Sequence, residues 1–187
     1  MYLRKRIDFI FVETLLRIKV EYKKPLIVLL LIFLNFDALY AATYYSRGSA
    51  NFSSNAVWSL TRTGSTVTFP GTTHTYIIQS GHTITLSASQ TAAGVTIESG
   101  GILSPNGTRT LTAPLTINSG GTLNITTRAY TQTGSLINNG SISGTTGQLI
   151  MGASSLTNGG SITLTTGQIT RASGGTLTNS GSITMGA

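Results

Sequence analysis
A seven-residue cassette recurs six times along this chain at nearly constant spacing. The copies are 78–84 (IQSGHTI), 97–103 (IESGGIL), 117–123 (INSGGTL), 136–142 (LINNGSI), 156–162 (LTNGGSI) and 177–183 (LTNSGSI). Their starts lie 19, 20, 19, 20 and 21 residues apart. Positions 1 and 7 are always Ile or Leu. A fixed period near 20 residues marks a solenoid, in which one coil alone cannot bury its apolar side chains and stacking joins them into a continuous core.

The coil is built of strands. Segments such as Val95-Thr96-Ile97, Leu123-Asn124-Ile125 and Ile162-Thr163-Leu164 alternate apolar and polar residues, the strand period of two. After residue 42 no stretch carries apolar residues at helical spacing, and the consensus and helical back of a leucine-rich repeat are missing. Within each cassette a Gly, Asn and Ser turn separates the two apolar ends. Gly takes φ > 0 without steric cost, and Asn tolerates it. Each cassette therefore reads as strand end, corner, strand start.

The expected fold is all-β: a single-stranded parallel β-helix of about six rungs of 19–21 residues. Rungs stacked at about 4.8 Å make a rod roughly 29 Å long. The hand of parallel crossovers predicts a right-handed coil. Position 3 reads Ser80, Ser99, Ser119, Asn138, Asn158, Asn179, and position 5 reads His82, Gly101, Gly121, Gly140, Gly160, Gly181. The asparagines are expected to form a turn ladder bonded along the axis, with Gly101, Gly121, Gly140, Gly160 and Gly181 at the corners.

Three segments follow. Residues 1–42 read as a secretory signal peptide with a long basic start. Arg4, Lys5, Arg6, Arg17, Lys19, Lys23 and Lys24 precede an apolar run, 25–36, and small residues follow at 38–42. That run is too short to span a membrane, and cleavage is expected after Ala41 or Ala42. The chain is thus expected to be secreted or placed at the cell surface, touching membrane only through this segment. Residues 43–75 lack the cassette and hold Tyr44, Tyr45, Phe52, Trp58 and Phe69, which suits an N-terminal cap over the edge of the first rung. Residues 76–187 are the repeats. They stop at SITMGA with no evident cap, as an incomplete solenoid would.

The opening of the repeat region carries a resemblance. Tyr44-Tyr45-Ser46-Arg47-Gly48-Ser49, Asn55-Ala56-Val57-Trp58-Ser59, Phe69-Pro70-Gly71 and the run from Ile77 to Leu86 resemble the mature N-terminus of large secreted surface proteins of Bacteroidota. There such a segment precedes β-helical repeats. The same run is similar, more weakly, to the eight-glycine extracellular domain. The resemblance covers about residues 44–125. It implies export, a β-solenoid, and a role in adhesion or glycan contact.

Composition removes other functions. There is no cysteine, so no disulfide scaffold, thiolate metal site or Cys nucleophile. After residue 42 the charges are Arg47, Arg62, Arg109, Arg128 and Arg171 against Glu98 alone. Arginines so scattered in sequence do not make the clustered patch of a nucleic-acid binder. Glycoside hydrolysis needs two carboxylates, a Ser-His-Asp triad needs its Asp, and a metal site needs three or four ligands. Only His74, His82 and Glu98 offer imidazole or carboxylate here. His82 and Glu98 fall one rung apart; the leading reading is a solvated corner His and a solvated Glu, and the alternative is an ion pair or hydrogen bond between them. No catalytic, cofactor or metal site is expected.

Two binding features remain. Tyr44, Tyr45, Trp58 and Tyr76 offer a stacking platform for sugars, or alternatively pack the cap onto the first rung. The residues flanking position 7 form a hydroxyl array, broken at Ile102 and Asn124: Thr83/Thr85, Ile102/Ser104, Thr122/Asn124, Ser141/Ser143, Ser161/Thr163 and Ser182/Thr184. These should repeat at about 6.8 Å along the strand and about 4.8 Å between rungs. The leading expectation is a non-catalytic structural or adhesive surface module, with extracellular glycans or other surface proteins as partners. The alternatives are a polysaccharide-active β-helix enzyme whose catalytic part lies outside this chain, and an ice-binding solenoid using the Thr/Ser face.

Overall fold
Alternation along each short strand sends one set of side chains inward and the other outward, and the chain turns a corner whenever Gly, Asn or Ser interrupts it. The computed structural model describes residues 41–186; the signal-peptide reading falls on residues 1–42, all but the last two of which lie outside the described residues. The described chain is a parallel β-solenoid of about six turns with three faces. The first face, sheet A, has eight strands: β1 (Thr43–Ser46), β3 (Trp58–Ser59), β4 (Thr75–Ile78), β7 (Gly94–Ile97), β10 (Leu115–Ile117), β13 (Leu136–Asn138), β16 (Leu156–Asn158) and β19 (Leu177–Asn179). The second, sheet B, has seven: β2 (Ala50–Asn51), β5 (Thr83–Leu86), β8 (Ile102–Pro105), β11 (Thr122–Thr126), β14 (Ser141–Gly144), β17 (Ser161–Leu164) and β20 (Ser182–Met185). The third, sheet C, has five: β6 (Gln90–Thr91), β9 (Arg109–Thr112), β12 (Ala129–Gln132), β15 (Gln148–Met151) and β18 (Gln168–Arg171).

Stacking turns the repeat into columns. Tyr76, Val95, Leu115, Leu136 and Leu156 stand in register on the inner side of sheet A. Ile84 and Leu103 do so on sheet B, followed by Leu123, Ile142 and Ile162. All ten are buried. Burying a Leu or Ile fully stabilises by about 1.5–3 kcal/mol, and no rung does so without its neighbours. Sheet C adds Leu111, Tyr130, Leu149 and Met151. Its buried Gln132 is fully bonded: Nε2 donates to Ala113 O (2.5 Å) and Gly134 O (3.2 Å), and Oε1 accepts from Tyr130 Oη (2.6 Å). Burial raises the Tyr130 hydroxyl pKa.

The expected cap segment divides in two. Residues 43–51 already belong to the coil, because β1 and β2 pair parallel with β4 and β5. The closure comes from residues 52–74. Strand β3 pairs antiparallel with β1 and ends sheet A. Phe52 and Trp58 are buried against Tyr76, with ring centroids 4.9 and 4.6 Å from it. The Trp58 indole donates to Phe52 O at 2.6 Å.

The cassettes do not align end to end as position counting suggests. Leu115, not Ile117, pairs with Leu136, so Ile117 pairs with Asn138. The column Ile78, Ile97, Ile117 therefore continues as Asn138, Asn158, Asn179. Ser80, Ser99 and Ser119 are not the equivalents of the asparagines. They belong to a longer corner. There Gln79, Glu98 and Asn118 carbonyls accept from the N–H three residues on, around Gly81, Gly100 and Gly120 at φ near +80°. In the later rungs a single residue separates Asn from Gly, and the corner glycines have no positive φ.

The ladder itself is present. Asn138 Nδ2 donates to Asn158 Oδ1 (2.7 Å) and Ser161 O (3.0 Å), and Asn158 Nδ2 donates to Asn179 Oδ1 (2.7 Å) and Ser182 O (3.1 Å). Asn138 and Asn158 are fully buried, so these bonds are required of them. The corner glycines serve close approach, where conformational freedom was expected. A Cβ at Gly101 would lie 2.7 Å from Ile78 O, and one at Gly121 2.8 Å from Ile97 O. Cβ atoms at Gly140, Gly160 and Gly181 would meet the carbonyls of Gly121, Gly140 and Gly160 of the preceding rung.

Candidate functional site
Most of the side chains able to do chemistry gather where the first rungs turn from sheet A to sheet B. Glu98 follows the last residue of β7 and so stands outside the core. Arg62, from the closure segment, meets it with both nitrogens. Nη1 donates to Oε2 at 2.8 Å, and Nη2 donates to Oε1. This bond holds the Glu98 carboxyl below its ordinary range, against the opposing effect of its partial burial. The Arg62 guanidinium also lies 5.0 Å from the centre of the Tyr45 ring. Gln79 ties the arrangement to the backbone, donating to Ser46 O (2.5 Å) and Arg62 O (3.1 Å).

His82 does not pair with Glu98, and it is not a freely solvated corner side chain either. Its Nδ1 lies 2.8 Å from Ser46 Oγ instead. A Ser–His hydrogen bond is the first half of a nucleophile–base pair. Here Ser46 is fully buried and its Oγ accepts the Gln79 N–H at 2.8 Å, so no substrate reaches it. Among the described residues no three His, Cys, Asp or Glu side chains come together as metal ligands.

The four aromatic residues do not form one exposed platform. Trp58 and Tyr76 are fully buried and cannot present a face to a sugar. Tyr76 donates its hydroxyl to Gly71 O at 2.5 Å, and burial raises its pKa. Tyr44 stacks on Tyr76 with ring centroids 6.0 Å apart and is half-buried. Only Tyr45 turns outward, beside Arg62. The reason is the alternation of β1: Tyr44 shares the inward register of Tyr76, and Tyr45 that of the outward Ile77.

The hydroxyl array is in register on sheet B. Thr83, Ile102, Thr122, Ser141, Ser161 and Ser182 form one column; Thr85 and Ser104 begin a second, which continues through Asn124, Ser143, Thr163 and Thr184. Asn51 extends the second column at its head.

One grouping escaped the sequence reading. Arg109 pairs in register with Tyr130, and Arg128 stands two residues before Tyr130. Both arginines therefore flank the corner between sheets B and C on successive rungs. Their separation of nearly one repeat period was the signal that could have found them. No family model matches this chain, and no curated protein or solved structure is significantly similar to it.

Proposed function
We propose that this chain is an exported, non-catalytic β-solenoid that acts as a structural or adhesive surface module, with extracellular glycans or other surface proteins as its partners. One observation carries the reading. Glu98 is paired with Arg62 and Ser46 with His82, while the outward face of sheet B carries two columns made mostly of neutral hydroxyl and amide groups. Such rows suit hydrogen bonding to an extended partner and offer no acid–base pair. The test is a glycan array and a cell-adhesion assay on the full chain. Binding or adhesion by folded protein supports the reading, and turnover of a polysaccharide overturns it.

The two in-register columns of sheet B favour a second reading, binding to ice. It predicts thermal hysteresis that is lost in Thr83→Tyr and Thr122→Tyr. A solution of folded protein with no hysteresis retires it.

A further inference from the structure
Among the described residues Arg62 alone has a carboxylate partner. Arg47 and Arg171 bond carbonyls, Arg62 O (2.5 Å) and Gly175 O (2.6 Å). Arg109 and Arg128 form the remaining pair, on one corner and on adjacent rungs.

The Arg109 head group is already positioned. Its Nη1 donates to Thr108 O at 3.0 Å, and its Nη2 reaches Asn106 Oδ1 at 3.5 Å. The guanidinium folds over Gly107, where a Cβ would lie 3.0 Å from its carbon. Its Nε is enclosed and has no hydrogen-bond partner, unlike every other enclosed side-chain nitrogen or oxygen among the described residues. Each Nη carries two N–H groups and uses one in the exposed bonds to Thr108 and Asn106, which leaves the other for an anionic acceptor. Arg128, one rung on, is exposed.

We infer that the Arg109–Arg128 corner binds the anionic groups of an acidic polysaccharide running along the solenoid axis. This rests on the glycan-binding reading above and names its ligand class. A chain with one carboxylate or sulfate per sugar offers anions at intervals comparable to the rung spacing of about 4.8 Å. Guanidinium is the group suited to bidentate pairing with either anion. Glu98, the one acid in residues 43–187, is neutralised by Arg62 and turned toward a different corner, so nothing on this edge repels the ligand.

The experiment titrates the full chain with an oligogalacturonate, with a sulfated chondroitin oligosaccharide, with neutral dextran and with single-stranded poly(dT). Arg109→Gln, Arg128→Gln and the double variant are compared with Arg171→Gln, and circular dichroism confirms that each is folded. The expected result is binding of an acidic oligosaccharide, weakened at least tenfold in the double variant and unchanged in Arg171→Gln. The carboxylated and sulfated probes show which anion is preferred. Equal loss in Arg171→Gln, or equal affinity for poly(dT), overturns the inference in favour of diffuse charge. Array binding confined to neutral glycans overturns it and leaves the glycan reading standing, whereas no glycan binding at all sinks both.

Discussion
Ile117 and Asn138 occupy the same inward position on successive rungs. At that step the column changes from hydrocarbon to amide, and the corner beside it loses two residues. An Ile at this place needs only packing, but a buried Asn needs partners for all its polar atoms. Asn138 Oδ1 accepts from Gly140 N–H at 3.2 Å and its amide donates to Asn158 and Ser161, while Asn158 donates in turn to Asn179 and Ser182.

Breaking the ladder in the middle should therefore cost more than losing one side chain. Asn158→Ala removes the acceptor of Asn138 and the donors to Asn179 and Ser182. A destabilisation of about 2–4 kcal/mol is expected in denaturant unfolding. Asn158→Asp keeps the shape but has no N–H, and its loss should grow as pH rises and the buried carboxyl is driven to ionise.

Glycine substitutions should sort by cause. At Gly160 a Cβ meets the Gly140 carbonyl of the rung before, so Gly160→Ala should be worst, about 3 kcal/mol or more. Gly100→Ala meets the Ser80 hydroxyl and a φ of +76° and should cost about 1–2 kcal/mol. Gly48→Ala meets nothing within 4 Å and should fall within about 0.5 kcal/mol of the parent. Equal effects at Gly160 and Gly48 would contradict the close-approach account.

Trp58 is the single tryptophan, and it is buried. Its emission should be blue-shifted in the folded protein and report on the closure alone. Trp58→Ala should cost about 3–5 kcal/mol. It also loosens the antiparallel strand that ends sheet A, and light scattering should reveal edge-driven association.

The Glu98 carboxyl is held low by Arg62, so the sign of its pH effect is fixed. Its contribution is present above the ordinary carboxylate range and is lost as pH falls through its lowered folded pKa. The pair is largely exposed, which keeps the effect small. Melting curves across the acid range should show Glu98→Gln already destabilised at neutral pH and less sensitive to acid than the parent.

Under the proposed export, cleavage after Ala41 is expected in preference to cleavage after Ala42. Ala42 O accepts from Thr75 N at 2.9 Å, and Ala42 N donates to His74 Nδ1 at 3.1 Å. Removing Ala42 would discard both. N-terminal sequencing of exported protein decides between them.

The solenoid was legible because period and alternation are both written in the apolar residues, which repeat every rung. The phase slip between Ile117 and Asn138 was not. Leu136 matches Ile117 in chemistry, and only backbone pairing shows that it stacks on Leu115. The aromatic platform failed for a related reason. Neighbouring tyrosines at 44 and 45 look equivalent in sequence, but alternation turns one toward the core and the other outward beside Arg62. The Arg62–Glu98 pair, 36 residues apart, needed the path of the closure segment, which has no repeat to guide it.

The edge between sheets A and B runs with a four-residue corner in the early rungs and a two-residue corner in the later ones, while the strands on both sides keep their pairing. Length on that edge is thus decoupled from the rest of the coil. Foreign peptides grafted beside Ser119 or Asn139 should protrude without disturbing the rungs, and grafts on several turns would be displayed in a line at fixed intervals.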